Sequence, residues 1–208
     1  GLWVGHDKNG VLNFKGKYEK GNKEGSWITQ EFWSDAIMKG EYKKDKREGP
    51  WIWYYYQSGE TYLKGQYKHD ERDGVWVYYY KNGTIRRQGK YNNGAKIGNW
   101  VYNYKNSQLE KKVAYQNDKE NGLTIEYHDN GKVKKESTYE NGKQEGLATW
   151  YHDNGDVKEK GFYKNGKQIK QSIFYDSEGN LEKRLTWKNG NFDGPAVYYH
   201  DNGEIENK

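Results

Sequence analysis

Gly122-Leu123-Thr124-Ile125-Glu126-Tyr127-His128-Asp129-Asn130-Gly131-Lys132-Val133-Lys134-Lys135-Glu136-Ser137-Thr138-Tyr139-Glu140-Asn141-Gly142-Lys143-Gln144-Glu145 is one complete period of this sequence. Ile125 and Tyr127 fall on one side of a run that alternates with a period of two, as a β-strand requires. Asn130-Gly131 then breaks the run. Such a dipeptide between two alternating runs is the strongest short-range signal of a tight type I′ hairpin turn. A second strand carries Val133 and Tyr139, and Asn141-Gly142 turns the chain back.

Outward from this stretch, Gly recurs at positions 1, 25, 49, 74, 98, 122, 146 and 194, with Lys170 in the remaining slot, which sets a 24-residue repeat. The units are 1–24, 25–48, 49–73, 74–97, 98–121, 122–145, 146–169, 170–193 and a partial 194–208. The unit 49–73 has one extra residue, placed near Gln57-Ser58 as a longer turn or a bulge. Three residues after each repeat position stand Val4, Ile28, Ile52, Val77, Val101, Ile125, Thr149, Ile173 and Val197, all β-branched strand formers. The opposite side of that strand carries Trp3, Trp27, Trp51, Trp76 and Trp100, then Trp53, Tyr78, Tyr102, Trp150, Phe174 or Tyr198. In the second strand a Gly two residues before the Tyr (Gly16, Gly40, Gly65, Gly89, Gly161) leaves room for a neighbouring ring to lie over the backbone.

With two tight turns per unit and no helical pattern, the expected fold is all-β: an elongated, single-layer antiparallel meander of tandem hairpins forming one repeat array. About 17 strands at ~4.8 Å spacing would give a ribbon roughly 80 Å long, curved by the normal twist.

Composition agrees with a thin fold. Only 32% of the 208 residues are apolar and 31% are charged, yet 17% are aromatic, with 21 Tyr and 9 Trp, which excludes the aromatic-poor composition of disordered chains. The net charge of +5 comes from 35 basic and 30 acidic residues mixed along the chain, so nucleic acid is a disfavoured partner. No run reaches the ~18 apolar residues of a membrane helix. The absence of Cys removes disulfides and thiolate chemistry and leaves the compartment open: cytoplasm, secretion or a cell surface. The terminal units show no evident caps, which reads as a piece of a longer protein with strand edges open to end-to-end pairing.

The unit G-x-W-x-x-Y-x-x-N-G-x-x-x-x-x-G-x-Y-x-x-G-K, cleanest in 122–145 and 146–169, resembles the MORN-variant repeat, and the resemblance covers essentially the whole chain. Bacterial arrays of this kind include the YwqK-type proteins labelled as antitoxins. MORN repeats are associated with protein scaffolding and with membrane phospholipids, so the resemblance implies an interaction module. The sequence departs from the pattern at Phe32-Trp33-Ser34-Asp35, which replaces Asn-Gly, and at Lys170.

Chemistry-bearing patterns are few. His128-Asp129, His152-Asp153 and His200-Asp201 recur at equivalent positions, but turns two strands apart lie ~9–10 Å from one another, too far for a shared metal ion with bonds of ~2 Å. No nucleophile elbow or oriented base appears, and Glu24, Glu48, Glu120 and Glu145 fall in return turns where charges are solvated. Neither enzymatic activity nor a cofactor or metal is expected. The cluster Lys43, Lys44, Lys46 and Arg47 is interleaved with Glu41, Asp45 and Glu48 and reads as a solvated face.

The Trp row is the candidate binding feature: Trp27, Trp51, Trp53, Trp76 and Trp100 with Tyr54, Tyr78 and Tyr102. Thr124, Ala148, Ser172 and Ala196 replace Trp in later units. Two readings stand: cross-strand packing, or an aromatic platform for a partner. The expected function is a non-enzymatic scaffold that binds another protein, such as a toxin, or acts at a surface. The alternative is binding of a cell-envelope glycan or an anionic phospholipid surface through the aromatic row.

Overall fold

The computed structural model describes residues 1–31 and 36–207, so the replacement of Asn-Gly at residues 32–35 lies outside the described residues. Every described regular element is a strand, and each strand pairs antiparallel with the next within two compact units. The first unit, Gly1–Ser107, holds β1 (Leu2–His6), β2 (Leu12–Glu19), β3 (Asn22–Glu31), β4 (Ala36–Lys43), β5 (Lys46–Tyr55), β6 (Thr61–Lys68), β7 (Glu71–Tyr79), β8 (Ile85–Asn92) and β9 (Ala95–Asn103). The second, Gln108–Lys208, holds β10 (Leu109–Gln116), β11 (Lys119–Tyr127), β12 (Val133–Glu140), β13 (Lys143–Tyr151), β14 (Val157–Lys164), β15 (Lys167–Tyr175), β16 (Leu181–Lys188), β17 (Asn191–Tyr199) and β18 (Ile205–Asn207). The all-β hairpin meander read from the sequence is therefore found. The boundary between the two units falls at Ser107/Gln108, in the first turn of the 98–121 repeat.

The two turns of the repeat differ. At the return turn Asn141 (φ 51°) and Gly142 (φ 81°) are both left-handed between the paired Glu140 and Lys143, which is the expected type I′ geometry. At the first turn the expectation fails. The His128 amide donates to the Lys132 carbonyl (2.8 Å) and that of Gly131 to the His128 carbonyl (3.0 Å), so three residues form the loop. Only Gly131 has positive φ there, the signature of a type I turn closed by a left-handed glycine. Asn130 Oδ1 holds the longer loop by accepting from the Lys132 amide at 2.9 Å. The extra residue of the third unit sits in the same turn, where Gly59 bonds back to the carbonyl of Tyr55, four residues away instead of three.

The recurring Gly also has a cause that the spacing alone does not show. β6 pairs Lys64 with Val77 and then Gln66 with Asp73, so Gly74, Val75 and Trp76 bulge opposite Gly65. The bulge needs a left-handed residue, and Gly74 supplies φ 67°. Lys170 adopts φ 61° at the equivalent point, at the steric cost a Cβ carries in that region.

Candidate functional site

The five Trp candidates and Tyr78 are core, which favours the packing reading over the platform. Trp51, Trp76 and Trp100 are 0% exposed, and Trp27, Trp53 and Tyr78 are buried with them. Tyr54 and Tyr102 remain half-buried. A single layer buries indole rings this completely because each Trp lies over the glycine of the preceding strand: a Cβ on Gly40 would stand 2.2 Å from the Trp51 ring, and one on Gly65 2.2 Å from Trp76. Tyr rings close both flanks edge-on, Tyr42–Trp51 at 5.1 Å, Tyr67–Trp76 at 5.0 Å and Tyr91–Trp100 at 5.0 Å. Indole Nε1 donates to a backbone carbonyl, Trp51 to Glu41 (3.1 Å) and Trp76 to Gln66 (3.1 Å). Cations cover the assembly, Lys23 over Trp27 at 4.8 Å and Arg72 over Trp76 at 4.7 Å. Arg72 also donates to the hydroxyls of Tyr78 (3.0 Å) and Tyr91 (3.1 Å). Burial, with the hydrogen bond to Tyr91, holds the Tyr78 phenol well above its ordinary range.

The repeated polar residues stitch successive hairpins. His128 Nε2 lies 3.1 Å from the Tyr151 carbonyl and its Nδ1 3.0 Å from Asp153 Oδ1. His152 Nε2 lies 2.9 Å from the Tyr175 carbonyl. Asn82, Asn130 and Asn154 donate to the carbonyls of Lys105, Asp153 and Ser177, one repeat further on. At the return turns Glu24, Glu48 and Glu145 accept backbone amides of Lys44, His69 and Asn165. The carboxylates expected to be merely solvated are thus part of the ladder. Within the basic cluster Arg47 is engaged, with Asp70 at 2.8 Å and Tyr67 Oη at 2.8 Å. Partial burial would raise the Asp70 carboxyl, but the hydrogen bonds and charge of Arg47 outweigh it and hold it below the usual carboxylate range.

On the sheet face opposite the Trp row, large apolar side chains of the second unit reach solvent. Leu123 pairs with Thr138, and Leu147 with Phe162, across neighbouring strands of the second unit. Leu123 is 52% exposed, Leu147 46% and Phe162 38%. Nothing in the fold requires apolar residues there: the slot after the repeat position holds Ser26, Asn99 and Gln171 in other units. Sequence reasoning missed this strip because it followed the columns that repeat. The signal was the column that varies.

A second feature lies at the row of first turns. In the first unit Tyr55, Tyr79, Tyr80, Lys81, Arg86 and Lys105 line a pocket of about 310 Å³, with Asn82 at its floor turn. In the second, residues from the same repeat slots line one of about 370 Å³: His128, Tyr151, His152, Asp153, Lys158 and Ser177, with Asn154. The repeat geometry builds the pocket and side-chain choice sets its chemistry. Among the described residues no group of three or more His, Asp or Glu side chains is arranged to hold a metal ion.

Among solved structures the chain is similar to a Photorhabdus luminescens Tc holotoxin pore with a mutated TccC3, at 13% identity and TM-score 0.21, over 95% of this chain and 13% of that one. It is also similar to the crystal structure of TcdB2-TccC3-TEV, at 11% identity and TM-score 0.17, over 97% of this chain and 14% of that one. It therefore spans 13% and 14% of the length of those chains. No curated protein matches it significantly. Residues 72–93, 120–141 and 144–165 match the model of the MORN repeat variant, each match framing one hairpin from just before the bulge residue to the following return turn.

Proposed function

We propose that this chain is a non-enzymatic, repeat-based binding module that holds a protein partner on the sheet face opposite the Trp row. The observation that carries the reading is the strip formed by Leu123, Leu147 and Phe162, three exposed large apolar side chains of which Leu147 and Phe162 are direct cross-strand partners, in a chain where aliphatic residues are scarce. Thr138 continues the strip, Lys and Glu side chains surround it, and an apolar centre with a polar rim is the usual anatomy of a protein interface. The matches to the MORN repeat variant agree with a binding role. A toxin is the partner class that the YwqK-type resemblance suggests. Glycan or phospholipid binding through the aromatic row loses support, because Trp27, Trp51, Trp53, Trp76 and Trp100 are buried.

The test is affinity capture from native extract and medium with the wild-type chain and the Leu123→Ser/Leu147→Ser variant. Loss in the variant of one near-stoichiometric protein, with an unchanged melting curve, is the expected outcome. A captured protein that poisons cells when expressed alone would support the toxin assignment. An identical set of captured proteins for both chains would reject the strip as the contact surface.

A further inference from the structure

Of charged side chains, the turn-edge pocket of the first unit is bordered by cations alone. Lys81, Arg86 and Lys105 border it, no carboxylate does, and none of the three has a carboxylate partner among the described residues. This stands out in a chain with 30 acidic residues for 35 basic ones. Lys81 Nζ stands 5.5 Å from the Tyr55 ring centre and the Arg86 guanidinium 5.9 Å from that of Tyr80, so the cations are presented along ring faces. The Tyr80 hydroxyl is committed to the Asn103 carbonyl at 2.9 Å, which fixes that wall.

We infer that this pocket is a binding site for an oxyanion carried on a sugar ring, a site separate from the apolar strip and independent of the protein-binding reading. Three cations without a carboxylate partner supply the attraction for the anion, with the Arg86 fork suited to a phosphate or carboxylate group. The Tyr faces supply the flat, partly apolar surface on which a pyranose packs. A volume of about 310 Å³ is at the small end of ligand pockets and suits one monosaccharide. The equivalent pocket of the second unit is an internal control, since Asp153 and Ser177 stand where Lys81 and Lys105 stand, leaving Lys158 as the one Lys or Arg in its lining.

That control also supplies the variant. Lys81→Asp/Lys105→Ser installs side chains that the same repeat slots already accommodate, so the fold is expected to persist, and circular dichroism checks that it does. Titrations of the full chain by calorimetry or NMR at low salt use glucose 6-phosphate, glucuronate and neutral glucose as probes. Binding of either anionic sugar, no binding of glucose, and a loss of about tenfold or more in the variant are expected from removing two cations and adding a carboxylate. Preference for the phosphate or for the carboxylate identifies the anion. The inference is overturned if neither anionic sugar binds at millimolar concentration, if glucose binds as well as they do, or if the folded variant binds as tightly as the wild type. None of these outcomes bears on the Leu123 and Leu147 variant, so the two readings fail separately.

Discussion

The two units build the same hairpins with different interiors. Of the hydrophobic side chains that are buried among the described residues, all but Val113 and Ala148 belong to the first unit, whereas every buried polar one, Thr124, Ser137, Thr149 and Ser172, belongs to the second. Three slots of the repeat change together. Trp51, Trp76 and Trp100 give way to Thr124, Ala148 and Ser172, the capping Arg47, Arg72 and Lys96 to Glu120, Gln144 and Gln168, and the opposing Gly40, Gly65 and Gly89 to Val113 and Ser137, with Gly161 alone kept. Bulk lost on one strand is partly regained on its neighbour. A cation is kept only where there is a ring to cover. The neighbouring row differs as well: Met38, Trp53, Leu63 and Tyr78 precede Arg87 in the first unit, whereas in the second charged residues Lys111, Glu126, Lys135, Glu159 and Lys183 are interspersed with Trp150, Phe174 and Tyr198. The hairpin thus specifies the backbone, and the interior can be filled by interlocked rings or by small side chains under an ionic ladder.

The largest test of this contrast is truncation at equivalent slots. Trp76→Ala should cost about 4 kcal/mol, as removal of a buried aromatic ring does, while Ala148→Gly should cost about 1 kcal/mol. Denaturant midpoints, with amide exchange locating the loss to β6–β8 or β12–β14, would check this. Equal losses would break the comparison. A sharper form transplants the second unit's pair into the first. Gly65→Val alone forces a side chain into the Trp76 ring and Trp76→Thr alone leaves a void, so each should be strongly destabilising. Together they recreate the Val113/Thr124 pair, and the double variant should be about 2 kcal/mol more stable than the sum of the singles predicts. Simple additivity would mean that the Trp-over-Gly contact is not the coupling element.

Much of this interior was legible in the sequence. Period, strand positions and the role of Gly65 as a seat for a ring follow from alternation and from Gly recurring two residues before Tyr. What was not legible is depth. A Trp column reads equally as core or as platform until the flanking Tyr67 and Tyr91 and the covering Arg72 are placed around Trp76, and those residues come from three different strands. The turn pocket was illegible for a related reason, since Tyr55, Arg86 and Lys105 lie in three successive repeats and meet only when the hairpins stack. The type I′ expectation at Asn130-Gly131 failed because loop length, which the flanking pairs decide, selects the turn.

A smaller effect is expected where the second unit breaks the glycine rule. Lys170 holds φ 61° without the freedom of glycine, so Lys170→Gly should raise stability by about 1 kcal/mol, read as an upward shift of the denaturation midpoint. The substitution also removes the contact of Lys170 Nζ with the Phe162 ring, 5.2 Å away. A lowered midpoint would show that this cation contributes more than the strain costs, and that the departure from the repeat pattern is itself stabilising.

The smallest effect separates the units by the sign of their pH response. Glu159 pairs across the sheet with Trp150 and Phe174, and burial among them holds its carboxyl above the ordinary 4.5 despite the opposing hydrogen bond from Gln168 and the charges of nearby lysines. Because the folded chain keeps this proton to a higher pH than the unfolded one, its contribution is fully present below 4.5 and is lost as pH rises through the folded value. Asp70 runs the other way: its carboxyl is lowered, so its contribution is present above 3.8 and is lost as pH falls through the folded value. Glu159→Gln should therefore be more stable than the wild type near neutral pH, with the gap closing as the pH is brought down towards 4.5. Urea midpoints of the two chains at both pH values measure that gap. A gap that stays constant would mean that the carboxylate is solvated in its row, and that the ionic ladder replacing the Trp core costs the second unit nothing by burying charge.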